Sequence, residues 1–172
     1  MKMKKILLIT YDNCDDSEVL YPLFRMREEG YTVDVASMEK RQIRAKYHFT
    51  VDASLLLDEV DPSDYDGLIL PGGTAPEKIR QQPAALEIAR YFDREHLPVA
   101  AICHGPQILI SAGTLRGRHC TCYPGIRDDV IAAGGIYRDC EAVVDTDARL
   151  VTSRRPEDLP AFMREFIALL KA

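Results

Sequence analysis

Two chemistry-bearing side chains stand next to each other in the stretch "VAAICHGPQ", which runs from Val99 to Gln107. The apolar residues Val99 to Ile102 follow Pro98 and read as a buried strand. Gly105 and Pro106 break it, and Pro106 suits the first turn of a helix that continues through "QILIS" until Gly113 closes it. The order strand, Cys-His corner, helix is the layout of a nucleophile elbow, with A-I-C-H-G half matching the serine pattern G-x-S-x-G. A thiol on such a corner stands at the sheet edge, and the free N–H groups of the following helix favour the thiolate, the reactive form. The expectation is a nucleophilic Cys103 with a thiol pKa below the ordinary value. His104 is placed to act as its base or to hold a thiolate-imidazolium pair.

Other residues could serve the same corner. Glu18 opens a helix-like run after the first strand, where an acid is favoured by the helix dipole alone. Gly72 and Gly73 end the strand "LILP". They either allow a tight turn or present backbone N–H groups that, with the N–H of His104, form an oxyanion hole. Glu77 follows Pro76 and reads first as a first-turn helix acid.

The elements that would position these residues alternate along the chain. Strand-like runs "KILLIT", "TVDVAS", "DGLILPGG", "PVAAIC" and "RLVTS" are interleaved with helix-like runs "EVLYPLFRMREEG", "AALEIARYFDRE" and "DLPAFMREFIALLKA". This rhythm predicts an α/β fold with a mainly parallel sheet and helices on both faces. The segment "MEKRQIRAKYHFTVDAS" interrupts it and reads as a short hairpin or edge strands. The active crevice of such a sheet lies at the carboxyl ends of its strands, so "TYDNCDDSE", "LPGGTAPE" and "ICHGP" should converge.

With 172 residues the chain is expected to form one domain, residues 1–172. A net charge of −5 and a pI near 5.4 argue against nucleic-acid binding. The basic clusters "EKRQIRAK" and "TSRRPE" read as solvated surface. No apolar run has transmembrane length and "MKMKK" does not lead a signal sequence, so a cytoplasmic location is expected. Of the five cysteines, Cys14, Cys120, Cys122 and Cys140 read as reduced structural thiols. Cys120 and Cys122 would share one face of a strand, and no second ligand pair makes them a metal site. His48, His96 and His119 read as surface or packing residues, and neither metal nor cofactor is expected.

Four stretches, "LILPGGTAPEKIR", "PVAAICHGPQILISAGTLRGR", "CYPGIRDDVIAAGG" and "VTSRRPEDLPAFMREF", together resemble the ThiJ/PfpI superfamily, in particular its PfpI-type intracellular cysteine peptidase branch. The resemblance implies a flavodoxin-like sandwich akin to class I glutamine amidotransferase domains. It implies that Glu18, ahead of "VLYP", contacts Cys103, and that Tyr123 lines the pocket. It further implies a homo-oligomer, dimer or hexamer, in which Glu77 of a neighbouring subunit orients His104. The expected function is a cysteine hydrolase acting on peptide or other acyl bonds. The alternatives are a glyoxalase or deglycase acting on 2-oxoaldehydes such as methylglyoxal, and a redox-sensing or chaperone-like stress protein. Asp15 is a weaker candidate, because Cys14-Asp15-Asp16 stands where the family commonly has Phe-Glu-Asp.

Overall fold

A computed structural model describes residues 4–172. In chain order it contains β1 (Lys5–Ile9), α1 (Asp16–Glu28), β2 (Thr32–Ser37), β3 (Gln42–Arg44), β4 (Thr50–Asp52), β5 (Leu55–Leu56), β6 (Gly67–Leu70), α2 (Ala75–Ile79) and α3 (Pro83–Arg94). There follow β7 (Val99–Ile102), α4 (Pro106–Ala112), β8 (His119–Cys120), α5 (Arg127–Ala132), β9 (Ile136–Tyr137), β10 (Val143–Asp145), β11 (Leu150–Ser153) and α6 (Leu159–Lys171).

Seven strands form one sheet in the order β10-β11-β7-β6-β1-β2-β5, parallel except for the edge strand β10. The uninterrupted apolar runs of β6 and β7 are buried along their whole length, as strands covered on both faces must be. From β1 the chain moves one way to β2 through α1, whereas β6 to β7 moves the other way through α2 and α3. Right-handed crossovers therefore set α1 on one face and α3 with α4 on the other. The C-terminal α6 packs beside α1 and buries Phe162 and Phe166 against the sheet.

The direction of travel reverses between β1 and β6, which opens a crevice beyond their carboxyl ends. The interrupting segment is an antiparallel hairpin of β3 and β4, with β5 beyond it at the sheet edge. Its loop is tied back to α1, because the Asp16 carboxylate accepts the backbone N–H groups of Tyr47 and Phe49, each at 2.7 Å. The Lys46 N–H donates to the Cys14 carbonyl at 2.9 Å.

Two readings of the cysteines need correction. β8 ends at Cys120, so Cys122 lies beyond the strand, although both thiols are fully buried. Cys140 is exposed in the turn after β9 and contributes nothing to the core. Among the described residues no helix is long and apolar enough to cross a membrane.

Candidate active site

The corner after β7 is tighter than its sequence alone requires. Cys103 adopts a left-handed φ of 59°, a conformation that costs a non-glycine residue energy and is sustained here by bonds on both sides. Its N–H donates to the Ser153 carbonyl at 3.0 Å, and its carbonyl accepts the Tyr123 N–H at 3.0 Å. Gly105 is required by space, since a Cβ there would sit 2.2 Å from the Leu70 carbonyl oxygen. The sulfur lies 3.4 Å from His104 Nδ1, so the two neighbours do face each other. The imidazole stacks on Tyr123, with ring centroids 4.7 Å apart and planes inclined at 29°.

Glu18 does not cap its helix. Asp15 does so, its Oδ1 accepting the N–H groups of Ser17 at 3.0 Å and of Glu18 at 3.3 Å. The Glu18 side chain is fully buried and its Oε2 accepts the Gly72 N–H at 2.7 Å, while Oε1 has no partner. Burial is the main force on this carboxyl, with the charge of Asp15 adding to it. Together they push its pKa up to about 8 against the opposing pull of the Gly72 N–H and the nearby Cys103 thiol. Glu18 is therefore a neutral acid at neutral pH.

The elbow thiol departs from its sequence reading. Only 8 % of Cys103 is accessible, and this burial pushes the thiol upward, as does an ionised Glu18. The N–H groups of His104 and Gly73 pull it down. The expectation of a plainly depressed thiol assumed exposure that the fold withholds. Burial instead raises both acids, so each keeps its proton near neutral pH. With Glu18 neutral, its carboxyl no longer opposes ionisation of the sulfur, and the two N–H groups favour the thiolate as it forms.

The two glycines divide their tasks. The Gly72 N–H is committed to Glu18, so it cannot also hold a substrate oxygen. A Cβ at Gly72 would lie 2.6 Å from Glu18 Oε2, 2.8 Å from Cys103 Cβ and 3.0 Å from the His104 nitrogen, so this glycine is the point where all three meet. Gly73, with φ of 75°, leaves its N–H on the sulfur side beside that of His104.

A cavity of about 430 Å3 opens above the sulfur, within the size range of small-molecule sites. All three expected corners contribute to it, through Asn13, Asp15 and Glu18, through Gly73 and Thr74, and through Cys103 and His104. Tyr123 lines it as well. Two lining residues were hidden in segments that read as solvated surface, namely Lys46 on the hairpin loop and Arg155 after β11. Glu77 is exposed on α2 and outside the cavity lining, yet its charge favours the imidazolium of His104 in the same chain against burial, which lowers that pKa. Among the described residues no group of His, Cys, Asp and Glu is arranged to hold a metal ion.

Residues 4–169 match the model of the DJ-1/PfpI family. The chain belongs to that family. It is 52% identical to Deglycase PfpI of Pyrococcus furiosus, covering 97% of this chain and 99% of that protein. It is 43% identical to Protein/nucleic acid deglycase 2 of Escherichia coli, covering 98% and 99%. A crystal structure of a two-domain protein from Anabaena variabilis, with DJ-1/ThiJ/PfpI-like and ferritin-like domains, superposes with a TM-score of 0.94 at 31% identity. That match covers 98% of this chain and 48% of the larger one. The mainly parallel sheet of this DJ-1/PfpI member is thus the arrangement expected from its alternating runs, and its flavodoxin-like form is the one that the resemblance implied.

Proposed function

We propose that this DJ-1/PfpI protein is a cysteine-dependent enzyme that converts 2-oxoaldehydes, free or released from their amine adducts, into 2-hydroxy acids. The observation that carries the reading is the buried Glu18 acid, one oxygen on Gly72 and the other without a partner, in a carboxyl close enough to Cys103 for each group to shift the ionisation of the other. The names of relatives such as Deglycase PfpI support it.

The chemistry follows from the groups present. The Cys103 thiolate adds to the aldehyde carbon, and the carbonyl pair becomes an oxyanion facing the N–H groups of Gly73 and His104 before taking the Glu18 proton. The Glu18 carboxylate so formed removes the proton from that carbon, the hydroxyl on that carbon passes its own proton to the neighbouring ketone oxygen, and an enediolate results. Glu18 then returns a proton to the second carbon, which leaves a thioester on Cys103. Water cleaves the thioester and restores the thiol. Methylglyoxal plus water gives lactate, with no external oxidant or reductant.

A second reading is hydrolysis of amide or other acyl bonds through the same thioester, with His104 as proton carrier. The 3.4 Å separation of Sγ and Nδ1 favours it. Assays of methylglyoxal and peptide amides on the purified protein separate the two. The aldehyde reading expects lactate formation that Glu18→Gln removes and His104→Asn leaves within about tenfold, since a neighbouring base contributes less than the proton shuttle. Peptide cleavage with inert methylglyoxal would replace it by the hydrolase reading. A homo-oligomer, with Glu77 acting across subunits, stays part of the hydrolase proposal alone.

A further inference from the structure

The cavity mouth carries two cations for which the proposed chemistry has no use. Lys46 and Arg155 both line the space above the Cys103 sulfur, and both are exposed. Among the described residues neither has a carboxylate at ion-pair distance. Arg154, one residue away, is by contrast fully engaged by Asp158 at 2.9 Å and Asp139 at 2.8 Å. Lys46 is held over the Tyr47 ring, 5.0 Å from its centroid, on the loop that Asp16 ties to α1. Unpaired cations fixed around a nucleophile recruit negative charge.

The negative groups in the cavity are accounted for. The Asp15 carboxylate is turned to the N–H groups of Ser17 and Glu18 as the cap of α1. Glu18 is committed to Gly72. Lys46 lies within range of the sulfur's charge and offsets a thiolate, which leaves the Arg155 fork as the unanswered group. A guanidinium recognises a carboxylate through two parallel N–H bonds, whereas a lysine acts as a point charge.

We infer that Arg155, with Lys46, forms a subsite for a carboxylate on the substrate, so that the preferred class is 2-oxoaldehydes, or their adducts, bearing a carboxylate a few carbons from the reacting carbonyl. This assignment rests on the aldehyde reading for its substrate, but the subsite can be tested without turnover. For 4,5-dioxopentanoate the reaction is the same isomerisation and hydrolysis, giving 2-hydroxyglutarate with the remote carboxylate unchanged.

The test uses two alkylating agents of like reach, iodoacetate and iodoacetamide, which differ in charge. Their relative rates at Cys103 are read by mass spectrometry and normalised to the neutral thiol N-acetylcysteinamide. The ratio cancels any change in how much thiolate is present. The subsite predicts a normalised preference for iodoacetate of about fivefold, the combined effect of two exposed ion pairs, falling as salt is raised. Arg155→Gln should reduce it toward one, Arg155→Lys should restore part of it, and Lys46→Gln should lower it by a smaller factor. A normalised ratio of one in the native protein, or a preference untouched by Arg155→Gln, overturns the inference. The kcat/KM values of 4,5-dioxopentanoate and its methyl ester provide the second arm. Charge-dependent alkylation in a protein that leaves all 2-oxoaldehydes intact would uphold the carboxylate subsite and remove the aldehyde chemistry. Turnover that does not distinguish acid from ester, with a flat alkylation ratio, would do the reverse.

Discussion

The Gly72 backbone N–H donates to Glu18 Oε2 at 2.7 Å, joining the turn after β6 to the first turn of α1 directly behind the Cys103 sulfur. This bond fixes the orientation of the acid and removes one N–H from any oxyanion hole. Gly72→Ala would drive a Cβ into Glu18, Cys103 and the His104 backbone at once. Backbone at the His104 nitrogen cannot yield cheaply, so the variant should lose about 1–3 kcal/mol of stability through overpacking. It should also lose at least about a hundredfold in turnover, because a misplacement near 1 Å costs that much at a reacting centre. Urea unfolding and steady-state kinetics check the two numbers.

Burial of Glu18 also makes stability depend on pH. Its folded pKa of about 8 lies above the ordinary 4.5, so between these values the folded state holds a proton that the unfolded chain has released. Stability from this group is present in full below about 4.5 and falls as pH rises toward about 8, by up to about 1.4 kcal/mol per pH unit. Glu18→Gln, which can keep an oxygen on the Gly72 N–H, should flatten that slope. Melting temperatures of both proteins over this range provide the measurement, and a native slope that survives the substitution would contradict a neutral buried acid.

The stack of His104 on Tyr123 should matter for position and not for charge. Tyr123→Phe keeps the ring face and should retain activity within about threefold, while Tyr123→Ala frees the imidazole and should lower kcat by about threefold to tenfold, no more than removing the imidazole itself. Comparing the two variants separates the stack from the phenolic hydroxyl.

Much of the frame was legible in the sequence because parallel strands buried on both faces must be apolar throughout, which "LIL" and "VAAI" are. The three corners followed from the same logic. Lys46 and Arg155 were not legible, since their place at the cavity depends on Asp16 pinning a hairpin loop and on the path after β11. Nor could the sequence say which acid caps α1, because Asp15, Asp16 and Glu18 all suit a first turn. Cys140 lies in a turn with no periodicity to betray exposure. As a consequence Cys140→Ala should change stability by less than about 0.5 kcal/mol, whereas truncating buried Cys120 should cost more.

The central claim is that Cys103 carries the acyl group and that Glu18 moves the proton that creates it. Native protein, Cys103→Ser and Glu18→Gln are mixed with methylglyoxal, quenched in acid, desalted and digested, and the Cys103 peptide is examined for a hydroxylamine-labile lactoyl group. The account predicts that group on native Cys103, its absence in both variants with native melting, and loss of lactate formation in both. Lactate production by a folded Cys103→Ser protein, or a labile lactoyl group that persists on Cys103 in Glu18→Gln at the native rate, would contradict it.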